Sequence, residues 1–206
     1  MSALQPLVLI VSGPSGSGKS TLVEKILELP GTVLSVSCTT RAPRGTETDG
    51  KWYNFVSEAE FQRMVKCGEF LEYAQVFEKN WYGTPRKWLE LAQAQKKDLV
   101  LEIDVQGALQ VKQKLPGAVA VFVLPPSRTE LEHRIRARGQ DSEDEIHRRL
   151  ERARQEMLSY SSYDYAVIND DIGRAGKEVQ AIALGSRCRV TRNEARIREI
   201  LKSFGG

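Results

Sequence analysis

The sequence predicts an α/β fold: a five-stranded parallel core sheet with flanking helices. Five short segments are near-continuous apolar, β-branched runs without polar alternation, as strands are when helices cover both faces of a parallel sheet. Helical patterns with recognisable start signals lie between them. A third feature departs from this alternation, because an aromatic-rich and β-branched stretch follows the second run and marks an insertion of about 60 residues, near the lower size of a domain.

Residues 7–11, 33–36, 99–103, 119–124 and 165–168 read as the core strands. Within the insertion, 51–56 and 69–77 together with 80–83 suggest a small sheet of their own. Three helices announce their starts through Ser57-Glu58-Ala59-Glu60, Ser127-Arg128-Thr129-Glu130 and Ser142-Glu143-Asp144-Glu145. Each fits the capping box, in which Ser and Glu satisfy two orphaned backbone N–H groups. Ile146, Leu150, Ala153 and Met157 fall at helical spacing, so one helix docks by that stripe. There are no internal repeats and no low-complexity linkers.

Composition bounds the function. The chain has 206 residues, 41% hydrophobic and 28% charged, an ordinary globular balance. A chain this long buries roughly 70% of its unfolded surface and folds without metals or disulfides. The longest apolar run, 118–124, falls far short of the ~20 residues that cross a bilayer, and no charged n-region precedes an apolar stretch. Cys38, Cys67 and Cys188 are odd in number and scattered. These features disfavour membrane and secreted classes and predict a cytoplasmic location. The net charge of +3 is concentrated from residue 185 onward, where six basic residues face two acidic ones, so the rest carries −1. That is a solvated helix face or a subunit contact, compatible with a monomer or a homo-oligomer, and no nucleic-acid signal.

Gly13-Pro14-Ser15-Gly16-Ser17-Gly18-Lys19-Ser20 satisfies G-x-x-x-x-G-K-[ST], follows an apolar run and opens a helix. Successive backbone N–H groups form an anion nest, the helix N-terminus adds positive potential, and Lys19 reaches the β- and γ-phosphates. Ser20 would ligate Mg²⁺. Asp104, at the end of the third core strand, is either a Walker-B-like acid near this loop or the cap of the next helix. The base-reading Asn-Lys-x-Asp of GTPases is missing from the sequence.

Ser35-Val36-Ser37-Cys38-Thr39-Thr40-Arg41-Ala42-Pro43-Arg44 reads as a polar loop held by a proline, with two guanidiniums three residues apart. Two such planar forks match one phosphate monoester. Downstream come Tyr53, Glu72, Tyr82-Gly83-Thr84 and Glu102-Ile103-Asp104-Val105-Gln106-Gly107.

Taken together, these residues resemble guanylate kinases, from the phosphate loop through S-x-S-x-T-T-R-x-P-R and I-D-x-Q-G to Val167-Ile168-Asn169-Asp170-Asp171. The resemblance implies a P-loop kinase fold and transfer of a phosphoryl group from ATP to GMP with Mg²⁺, leaving the use of dGMP open. It implies a core (1–34, 99–126, 160–206), a GMP-binding insertion (35–98) and a helical lid (127–159). Ser37, Arg41, Arg44, Tyr53 and Tyr82 would hold the GMP phosphate, while Glu72, Thr84 and Asp104 would read guanine. The ATP site would take in residues 13–20 and Thr21, with Arg134 and Asn169. Arg138 and Arg149 would join Lys19, Arg41 and Arg44 as the catalytic cations. Arg128, Arg136, Arg148, Arg152 and Arg154 read instead as a salt-bridged helical surface. Glu102 departs from the family's usual Asp, and Thr46 from its usual Gly.

The chemistry agrees with that resemblance. Guanine presents N1–H and a 2-amino group side by side, so one carboxylate accepts from both, whereas adenine would leave it unpaired. Thr84 would donate its hydroxyl to guanine O6. Two other readings stand beside this one: a guanylate-kinase-like interaction domain that holds a protein, and a related kinase for another phosphorylated small molecule. Cys38, beside the acceptor loop, reads as a packed, inert thiol ahead of one that would sensitise the loop to oxidation.

Overall fold

The computed structural model describes residues 6–43, 45, 47–76, 80–137 and 142–205. In chain order the elements are β1 (Val8–Ser12), α1 (Lys19–Leu27), β2 (Thr32–Leu34), β3 (Ser37–Thr39), β4 (Tyr53–Phe55), α2 (Glu58–Lys66), β5 (Phe70–Val76), β6 (Asn80–Pro85) and α3 (Lys87–Gln95). There follow β7 (Asp98–Glu102), α4 (Val105–Lys114), β8 (Val119–Leu124), α5 (Arg128–Ala137), α6 (Glu143–Met157), a 3-10 turn at Leu158–Ser162, β9 (Tyr165–Ile168), α7 (Ile172–Arg187) and α8 (Val190–Ser203).

The predicted core sheet is present: β2-β7-β1-β8-β9, with every pairing parallel. Its central strand β1 is buried throughout, which is why its sequence does not alternate. On one face Leu22, Val23 and Ile26 of α1 and Ala175, Val179 and Ala183 of α7 pack over Leu9, Val11, Val100 and Val121. On the other, Ala108 and Val111 of α4 pack with Ile10, Leu99 and Leu101. Strands β7 and β8 flank β1 on opposite sides, so the loop leaving β1 opens at a topological switch point, where ligand crevices form in such sheets.

The second sheet, β4-β3-β6-β5, is mixed, with β3 parallel to β4 and the other two pairs antiparallel. It has a small core in which Phe61 of α2 stacks on Phe70 at 4.5 Å, beside Cys38, Met64 and Trp81. It is also tied to the first sheet. Leu71 joins the core cluster of α4, Lys114 Nζ donates to Leu71 O at 2.6 Å, and Trp88 Nε1 donates to Val36 O at 3.0 Å.

Helices α5 and α6 share a third cluster of Leu131, Ile135, Ile146, Leu150 and Ala153, so the expected stripe docks on α5, with Met157 only half-buried. Ser57, Ser127 and Ser142 each accept the backbone N–H three residues on. Arg136, Arg148, Arg152 and Arg154 form ion pairs with helical glutamates, as expected of a solvated face. α8 buries none of its residues, in keeping with a solvated basic segment.

One expectation is corrected. The stretch read as a polar loop contains a strand, because Ser37-Cys38-Thr39 runs in the interior of the second sheet between β4 and β6. Hydroxyl side chains at its two ends removed the hydrophobic signal, yet all three residues are buried. Phe77, predicted to end a strand, lies outside the described residues, as do Arg44, Thr46 and Arg138.

Candidate active site

The loop after β1 is built for close backbone approach. Gly13 has φ 141°, and a Cβ there would lie 2.2 Å from Val123 O. Gly18 caps α1 in the left-handed region at φ 91°, with no side-chain cap on the first-turn N–H groups. Those donors thus converge on one concavity, the requirement for an anion nest. Lys19 lies folded over the loop, its Nζ donating to Gly13 O at 2.7 Å and Pro14 O at 3.0 Å.

Three side chains from distant segments brace the loop. Asn169, following β9, donates its amide to Ser17 O at 2.8 Å and is buried. Arg134 of α5 donates to Asn169 O at 2.9 Å and to Ser17 O at 3.4 Å while pairing with Glu130. Arg149 of α6 donates to Ser15 Oγ at 2.6 Å. The helical pair α5–α6 therefore reaches the phosphate loop, and both its described candidate arginines point there. Of the Asn-Asp-Asp turn, Asp171 caps α7 by accepting from Arg174 N at 2.7 Å.

The carboxylate beside Ser20 is Glu102, not Asp104. Ser20 Oγ donates to Glu102 Oε1 at 2.7 Å, whereas Asp104 Oδ1 caps α4 by accepting from Gly107 N at 2.8 Å. The sheet register decides this: Glu102 pairs with Val11, just before the loop, and β7 ends there, so Asp104 has already turned into the cap.

The second sheet supplies the other pocket. Arg41 donates Nε to the Tyr82 hydroxyl at 3.1 Å, and its guanidinium carbon lies 5.6 Å from the ring centroids of both Tyr53 and Phe55. Tyr53 meets Tyr82 edge-on at 5.6 Å. Burial, then the negative charge of Glu102, push the Tyr53 hydroxyl well above the ordinary phenol range. Glu102 holds Ser20 of the phosphate loop, and Asp104, two residues on, lies beside Glu72 of the second pocket about Gly107. The two pockets are neighbours.

Deeper in, Glu72 is 3% exposed. Thr84 Oγ1 donates to its Oε1 at 2.6 Å and lies 3.2 Å from Ser37 Oγ. A hydroxyl has one proton, and this one goes to Glu72, so here Thr84 orients the carboxylate rather than offering the donor expected for guanine O6. Ser37 completes the chain by donating to Thr84. Gly107 admits the carboxylate, since a Cβ there would lie 2.6 Å from Glu72 Oε2 and 3.4 Å from Asp104 Oδ1. Asp104 Oδ2 is buried without a partner among the described residues. Burial first, offset by the Thr84 hydrogen bond and reinforced by Asp104, raises the Glu72 carboxyl to about 7.

Comparison with known proteins gives the family. The guanylate kinase family model matches residues 5–184. The chain belongs to the guanylate kinase family. It is 47% identical to the guanylate kinase of Caldanaerobacter subterraneus subsp. tengcongensis over 92% of each chain. It is 45% identical to that of Symbiobacterium thermophilum, covering 97% of this chain and 94% of the relative. Among solved structures, guanylate kinase from Anaplasma phagocytophilum superposes with a TM-score of 0.76 at 35% identity, covering 92% of this chain and 90% of its own.

Of the residues singled out in the sequence, the structure gathers 13–20 with Thr21, Arg134, Arg149 and Asn169 about the loop. Ser37, Arg41, Tyr53, Glu72, Tyr82, Thr84 and Asp104 line the second pocket. Sequence reasoning missed Glu102 as the partner of Ser20. It also missed Glu47, whose carboxylate pairs with Arg41. The Glu102 assignment needed the strand register, which no local pattern reveals, and a lone glutamate between a proline and a turn gives no signal at all.

Proposed function

We propose that this chain transfers the γ-phosphoryl group of ATP to GMP, giving ADP and GDP. Family membership supports the activity. The observation that carries the assignment of its residues is the adjacency of a glycine-rich anion nest to an arginine–tyrosine pocket ending in a buried carboxylate. In this reading 1–34, 99–126 and 160–206 form the core, 35–98 bind GMP, and 127–159 close over ATP.

The acceptor is itself an oxyanion whose second pKa is about 6, so the reaction needs no general base near neutral pH. What opposes it is repulsion. Unit charges 4 Å apart repel by about 1 kcal/mol in water and by about 4 kcal/mol near a protein surface. Alignment and counter-charge therefore carry catalysis. Lys19 exchanges its two carbonyl partners for phosphate oxygens, and Arg41, Arg44, Arg138 and Arg149 neutralise the approaching groups. Arg134 contacts the ATP phosphates, and Asn169 contacts adenine while keeping its bond to Ser17.

The Mg²⁺ that the family implies fits the donor set. Ser20 Oγ and Glu102 are hard oxygen donors at the mouth of the nest, and Mg²⁺ takes one or two such groups, keeping waters and phosphate oxygens for the rest. When bound, it adds positive charge where the donor phosphates accumulate negative charge.

In the acceptor pocket Arg41, Arg44, Tyr53 and Tyr82 hold the phosphate. Glu72, oriented by Thr84 and Ser37, accepts from guanine N1–H and N2–H, with Asp104 Oδ2 as a further acceptor. Adenine would leave a desolvated carboxylate unpaired, and sites of this kind discriminate by about 10⁴ or more. Closure of α5–α6 once both nucleotides are seated excludes water as a competing acceptor. The reading places the enzyme in the cytoplasm, where its free cysteines stay reduced. ADP formation from ATP with GMP, AMP, UMP and CMP in parallel tests the proposal. GMP should be preferred with one GDP per ADP, and an equal rate with AMP would overturn it.

A further inference from the structure

Arg41 is surrounded. Its Nη1 and Nη2 donate to Glu47 Oε2 and Oε1 at 2.8 and 3.0 Å, Nη1 donates again to Ala42 O at 2.7 Å, and Nε is spent on Tyr82. The paired end of the guanidinium, the part whose geometry matches a phosphate, holds a carboxylate in this structure. The two partners differ in burial: the Arg41 side chain is 9% exposed and that of Glu47 32%. A cation so enclosed needs a counter-ion at all times, since removing one partner of a buried pair is strongly destabilising. The anion is the less enclosed of the two, because about a third of its side chain reaches solvent. The guanidinium that Glu47 holds lies 5.6 Å from the Tyr53 ring centroid, so Glu47 sits at the aromatic end of the same pocket.

Resting on the reading of this pocket as the seat of the acceptor phosphate, we propose that Glu47 is a built-in counter-ion whose place on Arg41 is taken by the phosphate of GMP. Glu47 thereby keeps Arg41 paired and oriented in the free enzyme and sets the affinity for the acceptor. A phosphate dianion displaces the singly charged carboxylate with a gain in charge pairing, whereas a nucleoside brings nothing that can replace it. The exchange makes Glu47 a specificity determinant that favours acceptors carrying a charged phosphate. The enzyme accepts weaker GMP binding in return for a pocket whose buried cation is never bare.

Glu47→Gln tests this. An amide is a poorer partner for the guanidinium, so the competing state is less populated and apparent affinity rises as the binding-competent fraction grows. The KM for GMP should fall by about threefold to tenfold while the KM for ATP stays put. The free variant should melt lower than the unsubstituted protein, and saturating GMP should raise its Tm by more. A merely structural glutamate would give a lower Tm with a higher or unchanged KM for GMP, and that result overturns the proposal. Glu47→Asp, one methylene shorter, should move the KM in the same direction by less.

Should neither variant fold, the unsubstituted protein decides. The side-chain carboxyl ¹³C resonance of Glu47 should shift on adding GMP and not on adding guanosine, and a resonance unmoved by GMP refutes the exchange. Arg41→Lys separates this proposal from the reading beneath it. If that variant leaves the KM for GMP unchanged, the phosphate is not held there at all. If it raises the KM while Glu47→Gln does not lower it, only the exchange fails.

Discussion

Replacing Glu72 by Gln removes a charge from the most enclosed polar position of the acceptor pocket. The carboxyl is raised from 4.5 to about 7, chiefly by burial. A carboxyl whose folded pKa lies above its unfolded one binds more protons in the folded state between those two values. Stability therefore falls as pH rises through that window and levels off above about 7. At about 1.4 kcal/mol per pKa unit, this burial costs on the order of 3 kcal/mol at pH 8 and almost nothing at pH 4. The Gln variant escapes that cost, so its Tm advantage over the unsubstituted enzyme should grow from pH 4.5 to pH 8.

Catalysis should move the other way. The amide accepts from only one of the two guanine N–H groups and turns a donor toward the other, forfeiting about 3–4 kcal/mol and lowering kcat/KM for GMP by about 10²–10³. In the unsubstituted enzyme kcat/KM for GMP should fall as pH drops below about 7, because guanine requires the ionised carboxylate. The variant should lose that limb and keep the one near pH 6 that belongs to the phosphate. Steady-state kinetics with GMP and AMP from pH 5.5 to 8.5, with thermal melts over pH 4.5 to 8, measure all of this. An unchanged GMP-to-AMP preference, or a Tm difference that ignores pH, would refute the reasoning.

Other substitutions probe the donor side. Asn169→Ala removes the amide bond to Ser17 O, and should cost about 1–2 kcal/mol in denaturant unfolding and raise the KM for ATP more than that for GMP. Gly18→Ala places a Cβ 2.2 Å from Asn169 Nδ2 at a left-handed position, and should abolish ATP binding measured by calorimetry while the chain stays folded. Arg149→Ala, which loses the contact to Ser15, should lower kcat at least tenfold with little change in either KM, measured by coupled assay. Leu150→Ala should destabilise the α5–α6 pair by about 2–4 kcal/mol, seen as faster amide exchange confined to those helices.

The core sheet was legible because its central strands are buried on both faces and must be apolar throughout, and 119–124 came out with its observed bounds; so did 165–168, although only Val167 of that edge strand is buried. The phosphate loop was legible because its glycines answer a backbone demand that other residues cannot meet. β3 was not, since Ser37 joins a chain of polar contacts with Thr84 and Glu72 while Thr39 accepts from Arg41 N, and a ligand pocket inside a sheet erases the alternation that betrays a strand. Asp104 and Glu102 were two residues apart with the same charge, and only the pairing of Glu102 with Val11 tells them apart. Arg41 announced a phosphate site, but that its fork is filled by Glu47 depends on a contact between residues six apart, which leaves no mark in composition or period.

The most direct measurement of the central claim uses a compound joining adenosine and guanosine through five phosphates. If the nest and the arginine pocket face one another across Glu102, it should compete with both ATP and GMP. It should also bind at least a hundredfold more tightly than either alone, because the second contact becomes intramolecular. Competition with only one nucleotide, at no better than that nucleotide's own affinity, would contradict the account.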